Sequence, residues 1–236
     1  WNCTGVFVDA GANIGIHARF LFEPRLYPQS SYSSIFNAHF GTGPRNGVCA
    51  VEFEPNPVHR KRLERLAAAY GERGRRILYA PYGVSDSRGA LTFYHNDLGD
   101  TWFDRKMRTR LSEWSFGVRP WDNNSVPVKI PTIDLAKFLR LNAERDMQTT
   151  DEQARVVPTR DVPTAVDVPN RAMQGSHGRG SAWNSQSGPQ SSLLWRRPVV
   201  VKMDIEGLEL VVLPHLLAHH SLCTSVDSIT VEFHES

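Results

Sequence analysis

Three apolar residues in a row, Val6-Phe7-Val8, run without a break into Asp9, Gly11, Asn13 and Gly15. A continuous apolar run suits a strand covered on both faces, as in a parallel sheet. Glycines just beyond it let the backbone turn sharply and come close to a ligand or to the next helix. Strand, glycine turn and helix in that order form the corner at the carboxyl end of a parallel sheet, where open α/β folds bind nucleotides. The spacing does not match the three-glycine G-x-G-x-x-G fingerprint of dinucleotide enzymes, because Gly11 and Gly15 have three residues between them and an acid in front. Asp9 would repel a pyrophosphate and suits a ligand that carries a positive charge or an amino group.

S-adenosylmethionine is a ligand of that kind, and a second feature fits it. Val48-Cys49-Ala50-Val51-Glu52-Phe53-Glu54 reads as another apolar strand ending in an acid, and Pro55-Asn56-Pro57 stops it and opens a helix. An acid at the end of the second strand of such a sheet accepts hydrogen bonds from ribose hydroxyls. Glu54 is assigned that role; Glu52, on the same side by the two-residue period, is the fallback. The alternative is a pair of surface carboxylates. A third apolar strand, Val199-Val200-Val201-Lys202-Met203-Asp204, passes through Glu206 and Gly207 into a helix, and Ser228–His234 adds one more strand with polar ends. Lys202, Asp204 and Glu206 alternate. A lysine inside a buried strand needs a partner, so these acids form either a structural ion pair or a carboxylate cluster at the mouth of a ligand cleft.

Together these motifs resemble the FkbM-type methyltransferase family. The resemblance rests on Asp9-x-Gly11-Ala-Asn13-x-Gly15, Glu54-Pro-Asn-Pro, Val84-Ser85-Asp86-Ser87-Arg88-Gly89, Thr132-Ile133-Asp134-Leu135, Lys202-Met-Asp204-Ile-Glu206-Gly-Leu-Glu209 and Val231-Glu-Phe-His234. They stand in the family's order from Asp9 to His234. The resemblance implies a Rossmann-like class I methyltransferase: an α/β fold with a mostly parallel sheet and helices on both faces. It implies S-adenosylmethionine as cofactor and a hydroxyl group on a small molecule or sugar as acceptor. Carried onto this sequence, the cofactor-binding positions are Asp9, Gly11, Asn13, Gly15, Glu54, Ser85 and Asp86, and the catalytic ones are Asp204, Glu206 and His234.

Composition narrows the alternatives. The chain has 236 residues, 40% hydrophobic, with a formal net charge of +2. That suffices for one core and shows no basic patch of the kind that binds nucleic acid. Arg60-Lys61-Arg62 with Arg65 lies opposite Leu63, Leu66, Ala67 and Tyr70 and reads as the solvated back of a helix. No apolar run is long enough to cross a bilayer. Cys3, Cys49 and Cys223 are too few and too scattered for a disulfide framework or a zinc site. Cys49 is expected to be a small buried apolar residue, and a cytoplasmic setting is favoured. The chain begins with Trp1 and stops after the fifth core strand, where class I methyltransferases normally add two more; it is expected to be a fragment, silent about any leader.

The expected organisation is a single domain over 1–236. Strand one covers about 6–9, followed by a helix over 13–22. Residues 23–46 are read as a surface insertion near the substrate, with Pro57–Gly71 helical. Ile77–Val84 is one bent strand, and Leu91–His95 a short extra one. Residues 96–121, with Trp102, Trp114 and Trp121, form either a lid or an irregular packed loop. Val126–Pro131 is extended and Ile133–Leu141 helical. Residues 142–197, rich in Ser, Gln, Gly, Asn, Arg and Pro, lack the apolar area to offset their ordering entropy and read as a disordered insertion. The last helix, Glu206 towards His220, breaks or restarts at Pro214.

The chemistry asks little of the protein. A sulfonium methyl is already activated, so positioning dominates. A hydroxyl acceptor must also lose its proton, and a general base accelerates that step by roughly a hundredfold to ten-thousandfold. Asp204 is the first candidate by placement, with Glu206, Glu209 and His234 as alternatives. Asp204 and Glu206 have the chemistry to hold a divalent cation, but no spacing assigns them a metal. The rival classes are a nicotinamide-dependent oxidoreductase and an inactive nucleotide-binding module.

Overall fold

The computed structural model describes residues 2–95, 116–120, 123, 125–142 and 197–234. In chain order these form β1 (Gly5–Ala10), α1 (Ile16–Phe22), α2 (Ser33–Phe40), β2 (Val48–Phe53), α3 (Arg60–Gly71), β3 (Arg76–Ala80), β4 (Gly83–Ser85), β5 (Gly89–His95), β6 (Phe116–Gly117) and β7 (Val126–Asp134). Then come α4 (135–142), β8 (Val199–Met203), α5 (Glu209–Ala218), α6 (Ser221–Thr224) and β9 (Ser228–Val231). Five strands form one sheet in the order β3-β2-β1-β8-β9, every neighbouring pair parallel. The fold is therefore α/β with a mostly parallel sheet, compatible with a Rossmann-like architecture. The order reverses between β1 and β8, and a crevice opens at that switch point.

The apolar strands are legible because both faces are covered. Phe7, Ala50 and Val200 point to one side and pack with Leu21, Phe22, Phe36 and Tyr70 of the helices there. Val8, Val51 and Val201 point to the other side and meet Leu135, Leu139, Val212 and Leu216 from α4 and α5. Each Val, Leu or Phe side chain among them, fully buried, is worth about 1.5–3 kcal/mol of transfer free energy. One row breaks the pattern. Across the sheet, Asp9 stands between Glu52 on β2 and Lys202 on β8, and all three are buried.

Several elements differ from expectation. Residues 23–46 are not merely a surface insertion, since α2 lies within them and Phe36 is completely buried. Buried Arg45 locks the segment to the core. Its guanidinium donates to the carbonyls of Leu21 and Gly41 and to Asn37 Oδ1, which satisfies carbonyls at helix ends that lack an intrahelical partner. The bent strand Ile77–Val84 is two strands, β3 and β4, in different sheets. Pro81 and Tyr82 carry the chain from the first sheet to a second of order β4-β7-β5-β6. Here β4 pairs in parallel with β7, while β5 runs antiparallel to both β7 and β6. Ile133 and Asp134 complete β7 instead of opening a helix. Asp134 then caps α4 by accepting the Lys137 amide at 2.9 Å, and His215 of α5 reaches the same oxygen at 3.0 Å. Helix α5 runs through Pro214 without breaking; burial of Val212 and Leu216 on either side offsets the cost of about 3 kcal/mol.

Cys3 and Cys49 form a disulfide. Cys49 is buried in a core strand as expected, but it is bonded to Cys3 and is not merely a small apolar side chain. The β1–β2 register brings the start of one strand beside the other, which no sequence spacing reveals. Cys223 is a free, exposed thiol. Among the described residues no helix is long and apolar enough to cross a membrane. The readings of 96–121 as lid or loop and of 142–197 as a disordered insertion fall almost wholly outside the described residues.

Candidate functional site

The crevice is built by the turns that end β1, β2 and β8. The amides of Gly11 and Ala12 both donate to the Phe53 carbonyl, at 2.9 and 3.0 Å, and the Asp204 amide donates to Ala10 at 2.9 Å. Gly11 has φ +83, and a Cβ there would sit 1.7 Å from the Asp204 carbonyl oxygen. The close approach that glycine permits is thus to the neighbouring strand end. Gly15 has φ +75, which strains any larger residue, and a Cβ there would meet the side-chain ends of Leu66 and Leu63 of α3 at 2.5 and 2.9 Å. It packs the helix and does not line the cleft.

Glu54 is the centre of one half of the cleft. Its carboxylate accepts the Asn13 amide on Oε2 at 2.6 Å and the Asn56 amide on Oε1 at 2.8 Å. Asn13 reaches this position through a left-handed backbone, φ +50. Asn56 in turn accepts the Val58 amide at 3.1 Å where α3 begins. An ionised carboxylate offers about four acceptor positions, so about half the capacity of Glu54 remains for a ligand. Burial pushes its pKa up to about 7, against the opposing pull of the Asn56 and Asn13 amides. Asn13 lines the same cleft, and its buried Oδ1 has no partner among the described residues. The cleft is partly open. Val84, Phe93 and Phe116 form an apolar wall, the two rings stacked at 5.3 Å.

Asp9 and Glu52 lie beneath this surface and do not line it. Asp9 is held by Lys202 at 3.4 Å and by His17 at 3.2 Å. Burial pushes its carboxyl up, but Lys202 and His17 outweigh that and keep it below the usual carboxylate range. Its charge is spent within the fold, so it does not present a negative surface to a ligand. Glu52 is fully buried, with no hydrogen-bond partner for either oxygen among the described residues. Burial, and then the carboxylates of Asp9 and Glu54, push it well above its ordinary value. The fallback assignment of ribose binding to Glu52 therefore fails on position. Ser85 and Asp86 sit just past the lining residue Val84, and the Ser85 hydroxyl donates to Asp86 at 3.1 Å.

The far end of the cleft carries Asp204 and Glu206. Lys202 is buried, donates to the Gly11 carbonyl at 2.7 Å and pairs with Asp204 Oδ2 at 3.2 Å. Burial pulls its pKa down, yet Asp9 and Asp204 together raise it. Asp204 is thus both half of an ion pair and part of the cleft wall. Glu209, also buried, accepts the Ile205 amide at 2.8 Å and the Gly207 amide at 2.9 Å. It anchors the loop in which Glu206 adopts φ +54, and it lies 3.3 Å from His234 Nδ1. The opposite nitrogen, Nε2, faces Asp204 at 3.5 Å and Glu206 at 3.7 Å. Burial pulls the imidazole down, but Glu206, Glu209 and Asp204 hold it above its ordinary value.

Gly11, Asn13, Glu54, Asp204 and Glu206 therefore line one cleft, with His234 beside the last two. Asn56, Phe93 and Phe116 are lining residues that the sequence did not single out. Asn56 was visible within Glu-Pro-Asn-Pro, whereas the aromatic wall comes from the second sheet, whose pairing could not be read locally. Compared with family models, with curated proteins and with solved structures, the chain matches none of them. Fold and site define an α/β protein with a mostly parallel sheet and a cleft at its switch point.

Proposed function

We propose that this chain is an S-adenosylmethionine-dependent methyltransferase acting on a hydroxyl group of a small molecule or sugar, as the resemblance to the FkbM-type family suggests. The observation that carries the reading is Glu54. It is a carboxylate beyond the end of β2, fixed by two backbone amides and facing a cleft at the sheet's switch point. That is where an α/β sheet places the acceptor for ribose hydroxyls. The donor set fits the cofactor: a fixed carboxylate for the ribose, the orphaned Asn13 Oδ1 for an amino or hydroxyl donor, and the Val84, Phe93 and Phe116 wall for the base.

S-adenosylmethionine, when bound, supplies a methyl group already activated on a sulfonium. The protein's part is then to position the reactants and handle a proton. Glu54 would hold the ribose, and the stacked rings of Phe93 and Phe116 would shield the base from water. Asp204, Glu206 and His234 would face the acceptor's hydroxyl, orient it and draw off its proton. Lys202 keeps Asp204 in place from below, and Glu209 fixes the ring of His234.

Thermal unfolding with added nucleotides tests the class. A ligand at one hundred times its Kd stabilises the native state by about 2.7 kcal/mol. S-adenosylhomocysteine should raise Tm and reduced nicotinamide dinucleotide should not; the reverse result would assign the cleft to an oxidoreductase.

A further inference from the structure

At the rim of the cleft, His234 Nε2 stands 3.5 Å from Asp204 Oδ1 and 3.7 Å from Glu206 Oε2. A charge-assisted N–H···O bond closes to about 2.7–2.9 Å, so the three groups converge without bonding one another. Ligand atoms that share one cation at about 2.0–2.2 Å stand roughly 3.4 Å apart in tetrahedral geometry, which is close to what is seen. One such atom from each of the three side chains lies within 4.8 Å of the others. All three residues are partly exposed, which leaves room for further ligands.

A second observation lies behind the ring. A metal-binding imidazole almost always gives its other nitrogen to a carboxylate or carbonyl, which fixes the tautomer and the ring plane. Glu209, only 1% exposed, does this at His234 Nδ1, and its own oxygens are pinned by the Ile205 and Gly207 amides. The lone pair of His234 is thereby directed to the side of Asp204 and Glu206. Charge points the same way: Lys202 is already shared between Asp9 and Asp204, which leaves Glu206 and Glu209 beside the histidine.

We propose that Asp204, Glu206 and His234 form a binding site for a divalent first-row cation of the Mn2+ or Zn2+ kind, the class that a mixed imidazole and carboxylate set suits. Its open positions take oxygens of the acceptor; a hydroxyl held there is more acidic and would release its proton to solvent at this partly exposed rim, so that the three side chains hold the cation in place of accepting the proton themselves. The role towards the acceptor rests on the methyltransferase reading; the cation site itself does not.

The test uses Mn2+ alone with the whole chain, free ion being followed by electron paramagnetic resonance with neither cofactor nor acceptor present. The expected result is one site per chain, weakened at least tenfold in His234→Gln and in Asp204→Asn, with circular dichroism reporting the fold. Glu206→Gln changes the most exposed of the three and should weaken Mn2+ as well, so the site remains testable if Asp204→Asn misfolds. Absence of binding, or folded variants that bind like the wild type, overturns the proposal. S-adenosylhomocysteine binding measured on the same sample separates the two readings. Nucleotide bound without an Mn2+ site removes the cation and leaves the methyltransferase. Mn2+ bound at these residues without nucleotide supports the cation site and removes the methyltransferase.

Discussion

Glu54→Gln changes one oxygen to an NH2 group and leaves shape and volume alone. The two amides that Glu54 accepts arrive on different oxygens, Asn13 on Oε2 and Asn56 on Oε1. A carboxamide can accept on one side and must present N–H to N–H on the other. One buried amide is left unpaired, at a cost of about 1–3 kcal/mol of stability. The same change removes the charge that Glu54 would offer to the ribose of the proposed cofactor. Hydrogen bonds to charged groups contribute about 1.5–3 kcal/mol, so the Kd for S-adenosylhomocysteine should rise roughly tenfold to a hundredfold. A pH signature accompanies the loss. The binding form is the carboxylate, and burial raises its pKa to about 7. Lowering the pH through 7 protonates Glu54, so wild-type affinity should fall below pH 7 and level off above it. The glutamine variant has no proton to gain there, and the difference between the two proteins removes any titration of the ligand itself. The assay is calorimetric titration at several pH values between 5.5 and 8.5 on both proteins. A folded Glu54→Gln variant with wild-type affinity and an unchanged pH profile would refute the assignment of Glu54 to the cofactor.

Three further outcomes follow from the fold. Reducing the Cys3–Cys49 bridge, which spans 46 residues, should cost about 4 kcal/mol by loop entropy and lower Tm by on the order of 10 °C; an unchanged Tm with all thiols shown free by mass mapping would contradict it. Burial, and then the carboxylates of Asp9 and Glu54, hold the Glu52 carboxyl well above its ordinary value, so its ionisation opposes folding as pH rises through and beyond the ordinary carboxylate range. Glu52→Gln should therefore exceed the wild type in Tm at pH 8 and converge with it towards pH 5, and a lower Tm at pH 8 would show that the carboxylate has a stabilising partner. Gly11→Ala would drive a methyl group to within 1.7 Å of the Asp204 carbonyl oxygen in a left-handed backbone; soluble, cooperatively folding protein at wild-type yield would contradict the close packing of the β1 and β8 ends.

The parallel strands were legible because they carry continuous apolar runs, and Glu54, Asp204 and Glu206 because acids at strand ends stand out against them. The rest depended on neighbours distant in sequence. Asp9 resembles Glu54 as an acid at a strand end, but it lies inside the register, opposite Lys202, and is consumed there. Helix α2 was hidden because Phe36 sits among Ser, Asn and His that face solvent, and Arg45 gives no local sign of being buried. The disulfide needs Cys49 placed next to the start of β1. Glu209 reads as one more helix acid until the loop over residues 205–207 is folded onto it. The split at Pro81 and the second sheet escaped because β4 is three residues long and finds its partner, β7, across some fifty positions.

The most direct test of the account is a calorimetric titration of the wild-type chain with S-adenosylhomocysteine at pH 8, where Glu54 is ionised. One site per chain is predicted, with at least tenfold weaker binding in Glu54→Gln. No heat of binding from folded protein, under conditions where a nicotinamide dinucleotide does bind, would contradict the central claim.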